Sequence, residues 1–397
     1  MRLLRIMLLV ALGLFGSVAI FEVMMRLMAL SPWWRILPAV SAQFDGPDRE
    51  IGYAHRPNAS GLWLRENRTY VTINSQGLRD RARTSTKVSN IVRIAVAGDS
   101  ITEGLQVDES DLFTIRAENA LNSRGYPVEL LNFGLSGATP LQQLLFVANR
   151  GPLMGIDAAI FVFSAADFLN SLMRDDRLLP AYIETPTGEL VIGRSYRQRQ
   201  SHQWADRMIG RVFFWLVDHS FVASTLYSRA KLGILPSPMV ASNFGNQATT
   251  NECAEHESLL KSFVTLWAFG EPEWAGRRLD RYLADVSKLL SGKPATFLMS
   301  GFGSGKSDCP KQATLHREVL NLVRSKIESA GHLFVDLDSE KLKRVVHRDE
   351  LSLMHGFGSR VGGGHLNSRG HEIYARILEN VVELKMLEAI RRESTKP

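Results

Sequence analysis

A serine follows the most strongly predicted strand of the chain, in the segment Gly98-Asp99-Ser100-Ile-Thr-Glu-Gly104. The β-branched apolar run from Ile91 to Ala97 predicts a buried strand, and residues 111–121 are helix-like. Parallel sheets bind ligands at the carboxyl ends of their strands. A serine there presents its hydroxyl beside helix amides that stabilise developing negative charge. Ser100 is therefore a candidate nucleophile, although Asp and Ser are also favoured helix caps.

Two later blocks carry residues that would complement such a serine. Gly137 lies in Asn132-Phe-Gly-Leu-Ser-Gly137-Ala-Thr-Pro140 after the second predicted core strand, where a glycine lets a backbone amide approach a substrate oxygen closely. His365 follows three glycines before the last predicted helix and is a candidate general base. Alone, the segment around Gly137 is typical of a strand-to-helix turn, and the segment around His365 is typical of a solvated loop. Together with Ser100 they predict a site for nucleophilic catalysis.

Taken in order, these three blocks resemble the SGNH/GDSL hydrolase superfamily over roughly residues 91–390. Its hallmarks are a Gly-Asp-Ser first block, an oxyanion glycine, a Gly-x-Asn-Asp block and Asp-x-x-His before the final helix. The segment from Ile51-Gly-Tyr to Gly77-Leu-Arg-Asp80 is similar to the lead-in of membrane-anchored bacterial members. The resemblance implies an esterase or acyltransferase in which Ser100 attacks, His365 takes its proton, and the amides of Ser100 and Gly137 hold the oxyanion. It implies no metal and no organic cofactor.

The chain departs from the family pattern at two positions. Ala166 stands where the family has its oxyanion asparagine, and losing such a donor costs about 3 to 4 kcal/mol of transition-state stabilisation. Gly362 stands where the family has the aspartate that orients the histidine. The sequence therefore predicts a Ser100–His365 dyad, with Asp349, Glu350 or a backbone carbonyl as candidate partners of the ring. The alternative is a catalytically silent protein that binds glycan or scaffolds an envelope complex.

Short apolar strands alternate with helices through the core. Strands are predicted at 91–97, 128–133, 158–163, 295–299 and 333–337, and helices around 140–150, 256–290, 312–330 and 368–390. This alternation predicts a parallel sheet covered on both faces, and with the resemblance it predicts a three-layer α/β/α, flavodoxin-like SGNH hydrolase fold. Residues 36–90 form a lead-in with a small β hairpin, about 170–255 an insertion, and 391–397 a flexible tail.

The first 35 residues predict a membrane segment. Two arginines precede an uncharged apolar run from Ile6 to Phe21, the pattern of an export signal or an anchor. We favour a single signal-anchor helix with the catalytic domain on the periplasmic side. A cleaved signal peptide is the alternative, because small residues offer cleavage patterns at Ser17-Val-Ala19 and Val40-Ser-Ala42.

Composition narrows the function classes. The net charge of +6 is spread along the chain, which argues against nucleic acid as a partner. Cys253 and Cys309 are too few for a zinc ribbon but could form one bridge in an oxidising compartment.

Anchored relatives suggest an acyl ester of a small molecule or of a cell-surface polysaccharide as substrate, and closeness to the membrane leaves a lipid esterase as a weaker alternative. The oligomeric state is left open.

Overall fold

The computed structural model describes residues 2–36, 44–164, 176–198, 208–234, 273–291, 293, 295–300, 310–337, 354–358 and 364–383. At its centre is a five-stranded parallel sheet made of β5 (Val92–Gly98), β6 (Val128–Gly134), β7 (Ala158–Ser164), β10 (Thr296–Ser300) and β11 (Leu333–Asp336). The strand order is β6-β5-β7-β10-β11. Renumbered along the core this is 2-1-3-4-5, the flavodoxin-like order, whose switch point lies between β5 and β7.

Alternate residues of these strands enter two separate apolar cores. Ala95, Phe161 and Phe297 face one core, while Ile94, Ile160 and Leu298 face the other. Because successive side chains of a strand point to opposite faces, a sheet buried on both sides requires apolar residues at nearly every position. The strand sequences meet this requirement, and the predicted three-layer fold class is confirmed.

Helices cover both faces of the sheet. One face is covered by α4 (Pro140–Met154), α7 (Glu273–Leu289) and α8 (Pro310–Ser329), and the other by α3 (Phe113–Ser123) and α9 (Ser368–Val381). A four-residue helix, α2 (Ser100–Glu103), follows β5 directly. The predicted strands and these helices agree to within a few residues with the structure, except that residues 256–272 and 384–390 lie outside the described part.

The lead-in contains two small antiparallel hairpins where the sequence predicts one. The first pairs β1 (Asp45–Asp48) with β2 (Gly52–His55), and the second pairs β3 (Ser60–Trp63) with β4 (Thr69–Thr72). The second hairpin is fastened to the core by Asn67 Nδ2 and Thr69 Oγ1, which donate to the Gln106 carbonyl at 2.9 and 3.0 Å. The lead-in is therefore part of the folded body.

The described part of the insertion holds a hairpin and two helices. The hairpin pairs β8 (Ala181–Glu184) with β9 (Leu190–Gly193), and the helices are α5 (Met208–His219) and α6 (Phe221–Ile234). Cys253 and Cys309, and so the predicted bridge, lie outside the described residues.

The chain begins with a long apolar helix, α1 (Arg2–Leu30). Residues Leu4–Leu30 are long and apolar enough to cross a membrane, and a signal sequence near the amino terminus would have the same properties. The end of α1 packs on the folded body, because Met25 and Ala29 are buried in a cluster with Leu64. The sequence prediction of an apolar helix suited to a membrane is confirmed in this coarser form.

Candidate active site

Ser100 lies at the carboxyl edge of the sheet, as the first residue of α2. The Asp99 side chain caps this helix, accepting a hydrogen bond from the Ile101 amide at 2.9 Å. Asp99 is therefore the helix cap, and Ser100 is half-buried at the helix N-terminus, where its role as nucleophile stays a prediction. Among the described residues the Ser100 hydroxyl has no hydrogen-bond partner, and catalytic hydrogen bonds often tighten only when substrate binds.

Gly137 emerges at the same edge from the neighbouring strand. Gly98 of β5 pairs with Gly134 of β6 in the parallel register. Ser100 lies two residues after Gly98, and Gly137 lies three residues after Gly134, so both follow the same edge of the sheet. A side chain on Gly134 would overlap the Glu103 backbone, so glycine there lets α2 sit against β6. The turn at Gly137 closes with a hydrogen bond from the Ala138 amide to the Leu135 carbonyl at 3.0 Å.

His365 reaches this edge from the start of α9. Helix α9 is capped by Asn367, whose side chain accepts from the Gly370 amide at 3.0 Å. One turn later, the His371 ring lies against Gly104, the residue that ends α2. Helices α2 and α9 therefore meet just beyond the two candidate catalytic residues. The negative charges that raise the pKa of His365 include those of Asp99 and Glu103, on either side of Ser100.

A carboxylate that the sequence analysis did not identify binds the His365 ring. Glu66 Oε2 lies 2.9 Å from His365 Nδ1 and accepts from the His365 amide at 3.3 Å. Glu66 lies in the connection between β3 and β4, so the lead-in supplies it. The side chains of His365 and Glu66 are 13% and 21% exposed, so the pair is shielded but still open to a small molecule. A carboxylate at Nδ1 holds the tautomer in which Nε2 can accept a proton.

Gly364, immediately before His365, makes room for this carboxylate. Gly364 has φ +88°, and a side chain at that position would place its Cβ 2.9 Å from Glu66 Oε1. A side chain at position 364 and the Glu66 carboxylate would therefore compete for one space. This is a physical reason for glycine at position 364.

The sequence predicts Asp349, Glu350 or a backbone carbonyl as the partner of His365, whereas among the described residues Glu66 binds the ring. Burial lowers the pKa of His365, but the hydrogen bond and the negative charge of Glu66 outweigh burial, so the pKa is raised above its ordinary value. A base of raised pKa is a stronger proton acceptor. Gly362 and the candidate partners Asp349 and Glu350 lie outside the described residues, as do Ala166, Asp167 and Asn170 of the third block.

A second buried network reaches from the lead-in to the Gly137 turn. His55 Nε2 lies 2.5 Å from Glu103 Oε1, and Ser136 Oγ donates to the other oxygen of Glu103. The Tyr53 hydroxyl donates to the Ser136 carbonyl at 2.7 Å. Both contacts hold the residue immediately before Gly137. The lead-in therefore fixes the turn that carries the candidate oxyanion donor.

Three described residues of this network, Asp45, His55 and Glu103, have side chains of the types that bind metal ions. Ligand atoms of Asp45, His55 and Glu103 lie within 4.8 Å of one another. The separation of 2.5 Å between His55 and Glu103 is that of a direct hydrogen bond, and it leaves no space for an ion between the two atoms. Hydrogen bonding and charge from Glu103 raise the pKa of His55 against the opposing effect of its burial. We interpret the group as structural, and the absence of a metal from the reaction stays a prediction.

We expect Tyr53→Phe to lower kcat for ester hydrolysis about fivefold, with KM little changed, because one hydrogen bond is worth about 1 kcal/mol and this one positions the oxyanion turn. Tyr182→Phe is the matched control, since its hydroxyl bonds Asp285 at 2.8 Å, away from the described site residues. Equal kcat in the two variants would contradict the role assigned to Tyr53.

His371 gives the fold a pH dependence. Its ring is fully buried, accepts from the Phe113 amide at 3.2 Å, and has its pKa lowered to about 3 by that burial. In the unfolded chain the His371 ring is protonated below about pH 6.5, whereas in the folded protein it stays neutral. The free energy of unfolding therefore falls as the pH falls below about 6.5. We expect the free energy of unfolding to fall by about 1.4 kcal/mol per pH unit more steeply in wild type than in His371→Asn, which keeps an acceptor near Nδ1. Denaturation curves at several pH values measure both slopes, and parallel slopes would contradict the prediction.

No protein-family model matches the chain, and no curated protein matches it in sequence. Several solved structures are similar at low level. A lipase/acylhydrolase from Enterococcus faecalis is 12% identical, with 73% of this chain and 95% of that chain covered and a TM-score of 0.35. A family 3 carbohydrate esterase from Clostridium thermocellum is 11% identical, with 75% and 99% covered and a TM-score of 0.34. A catalytic variant of an acetylxylan esterase from Geobacillus stearothermophilus is 12% identical, with 74% and 94% covered and a TM-score of 0.34.

These values are too low to support an argument about activity, which depends on the site itself. The strand order and register place Ser100 and Gly137 at one edge of the sheet. The resemblance to the SGNH/GDSL hydrolase superfamily stays a prediction, while the three-layer α/β/α fold that it implies is present.

Proposed function

We propose that this protein is a serine esterase or acyltransferase with the triad Ser100, His365 and Glu66. The observation that carries the proposal is the hydrogen bond of 2.9 Å between Glu66 and His365 at the sheet edge where Ser100 begins its helix. An activated nucleophile needs a base, and that base needs a group that orients it. Glu66 supplies the orienting group that the sequence analysis found missing.

The reaction proceeds in two steps. Ser100 Oγ attacks the ester carbonyl while His365 Nε2 takes the hydroxyl proton, and the amides of Ser100 and Gly137 stabilise the oxyanion. The tetrahedral intermediate collapses to an acyl-serine, and His365 returns the proton to the departing alcohol. Water, or a sugar hydroxyl in an acyltransferase, then attacks the acyl-serine with His365 again as base. Glu66 stays ionised and stabilises the imidazolium that forms in each step.

We infer that the protein is exported and held by α1, with its body in the periplasm. Two arginines before the apolar helix favour a cytoplasmic amino terminus, which leaves everything after Leu30 on the other side. O-acetyl groups of a cell-surface polysaccharide are the substrate class that we propose, because the lead-in resembles that of membrane-anchored members of the SGNH/GDSL superfamily.

Hydrolysis of p-nitrophenyl acetate by the full chain in detergent tests the proposal. We expect turnover of the acetyl ester that declines as the acyl chain lengthens. Faster turnover of long-chain esters would instead indicate a lipid esterase, and no turnover with any ester would favour the silent glycan-binding or scaffold alternative, for which Ala166 is the remaining argument. Adding acetylated and deacetylated polysaccharide as donor and acceptor separates transfer from hydrolysis.

A further inference from the structure

Helix α5 (Met208–His219) carries an apolar face that the described part of the protein does not cover. Its exposed side chains recur at helical spacing, and their exposed fractions are 78%, 68%, 54%, 56% and 45% for Met208, Ile209, Val212, Trp215 and Leu216. At 3.6 residues per turn these five side chains fall within an arc of about 120°. The opposite face is also apolar: Val217 is 1% exposed, and Phe213 and Phe214 pack against Tyr227 of α6. A helix that is apolar all round needs cover on both sides.

The end of α5 is joined to the apolar helix α1. Glu22 accepts hydrogen bonds from the amides of Phe221 and Val222, both at 3.0 Å, and from Ser220 Oγ at 2.9 Å. Arg26 donates to the carbonyl of His219, the last residue of α5, at 2.6 Å. The junction of α5 and α6 is therefore fixed to α1 around Glu22 by bonds from both helices.

Glu22 also marks where α1 meets the folded body. Residues from Leu4 to Phe21 are almost all exposed, whereas Met25 and Ala29 are buried. The exposed stretch rises about 27 Å as a helix, close to the thickness of about 30 Å of a bilayer's hydrocarbon core. If α1 spans the membrane, the outer surface of the membrane lies near Glu22, at the level of the last turn of α5.

We propose that α5 is an interfacial helix whose Met208, Val212 and Trp215 face lies in the outer surface of the membrane that α1 crosses. This inference rests on the anchoring role of α1 in the proposed function. The bilayer is favoured over a protein partner because the carboxyl end of α5 is bonded to α1 at Glu22 and Arg26, where the exposed apolar stretch of α1 ends. An amphipathic or apolar helix with tryptophan at its edge is typical of such interfacial positions. With two contacts on the membrane, the body is held in one orientation instead of turning about α1.

Depth-dependent quenching tests this arrangement in the full chain. Cys253 and Cys309 are replaced by serine, and one cysteine is introduced by Val212→Cys, Leu14→Cys or Leu153→Cys for labelling with a nitrobenzoxadiazole fluorophore. Leu153 is the matched control, because this residue of α4 is apolar and 71% exposed. Each protein is reconstituted into phosphatidylcholine and phosphatidylglycerol vesicles that contain lipids with a nitroxide near the headgroup or near the chain ends.

We expect the Val212 label to lose most of its fluorescence to the shallow nitroxide and to be protected from aqueous iodide. The Leu14 label should be quenched by the deep nitroxide, and the Leu153 label only by iodide. A Val212 label that behaves like the Leu153 label overturns the proposal, and so does one protected from both lipid and iodide, which indicates a protein partner or a second copy. A Leu14 label open to iodide overturns the anchor and this proposal together. Esterase activity of the same samples reports separately on the catalytic part of the proposed function.

Discussion

Ser100→Ala is expected to abolish ester hydrolysis, lowering kcat by about 10⁶-fold, because removing the nucleophile of a serine enzyme leaves only the oxyanion site and binding. The hydroxyl has no hydrogen-bond partner among the described residues, and Asp99 still caps α2 in the variant. We therefore expect the variant to fold with a free energy of unfolding close to that of wild type. Hydrolysis of p-nitrophenyl acetate and thermal unfolding measure the two quantities.

Ser136→Ala is an informative comparison for this substitution. Ser136 is another serine at this edge, and its hydroxyl already donates to the buried Glu103. We expect Ser136→Ala to lower kcat only about fivefold, as Tyr53→Phe does, because this hydroxyl also holds the Gly137 turn. Turnover in Ser100→Ala that equals wild type would contradict the assigned nucleophile, and loss in Ser136→Ala alone would point to the wrong serine.

Glu66→Gln is expected to lower kcat by about 10⁴-fold, the cost of replacing the orienting acid of a triad with its amide. The substitution keeps the size of the side chain but removes the charge that stabilises the imidazolium. It also removes the main cause of the raised pKa of His365. Activity requires neutral His365 and rises with pH through that pKa. The rising limb of the pH–rate profile should therefore move to lower pH in the variant.

Glu50→Gln is the matched control for Glu66→Gln. Glu50 also belongs to the lead-in, but it pairs with Arg194 and Arg197 at the surface. We expect this variant to keep both the rate and the pH profile of wild type. A fall in rate without a shift of the profile in Glu66→Gln would mean that Glu66 only supports the fold, and an unchanged rate would restore the dyad that the sequence predicts.

The sheet and two catalytic candidates were predictable because they depend on local sequence. Ile91 to Ala97 is apolar at each position except Arg93, which is the pattern of a strand buried on both faces, and Ser100 and His365 each stand beside glycines at predicted element boundaries. The Gly134 and Gly137 turn follows its strand in the same way. In each case the residue and the element that positions it are neighbours in the chain.

Glu66 was not predictable because the hydrogen bond that assigns its role joins residues 299 apart in sequence. Its surroundings, Leu64-Arg-Glu-Asn-Arg68, have the composition of an ordinary exposed hairpin connection. A steric signal was present at Gly364, where a Cβ would meet the carboxylate, but its meaning depends on a tertiary contact. The buried pair of His55 and Glu103 was not predictable for the same reason, because the two residues lie in different segments of the chain.

The position of Glu66 joins the catalytic site to the membrane segment. Leu64, two residues earlier in the same hairpin, is buried against Met25 and Ala29 of α1, and Arg68 donates to the Leu30 carbonyl at 2.9 Å. The hairpin is thus held by α1 on one side and by Gln106 on the other. A protein cut in the lead-in after Glu66 would lose the acid of the site together with the anchor.

The rate of fluorophosphonate labelling tests the central claim most directly, because the probe reacts with an activated serine and needs no knowledge of the natural substrate. Intact mass and peptide mapping of the full chain identify the labelled residue. The proposed triad predicts one label at Ser100 in wild type, much slower labelling in Glu66→Gln, and none in Ser100→Ala. Wild type that stays unlabelled, or that reacts at Ser100 no faster than Glu66→Gln, would contradict it.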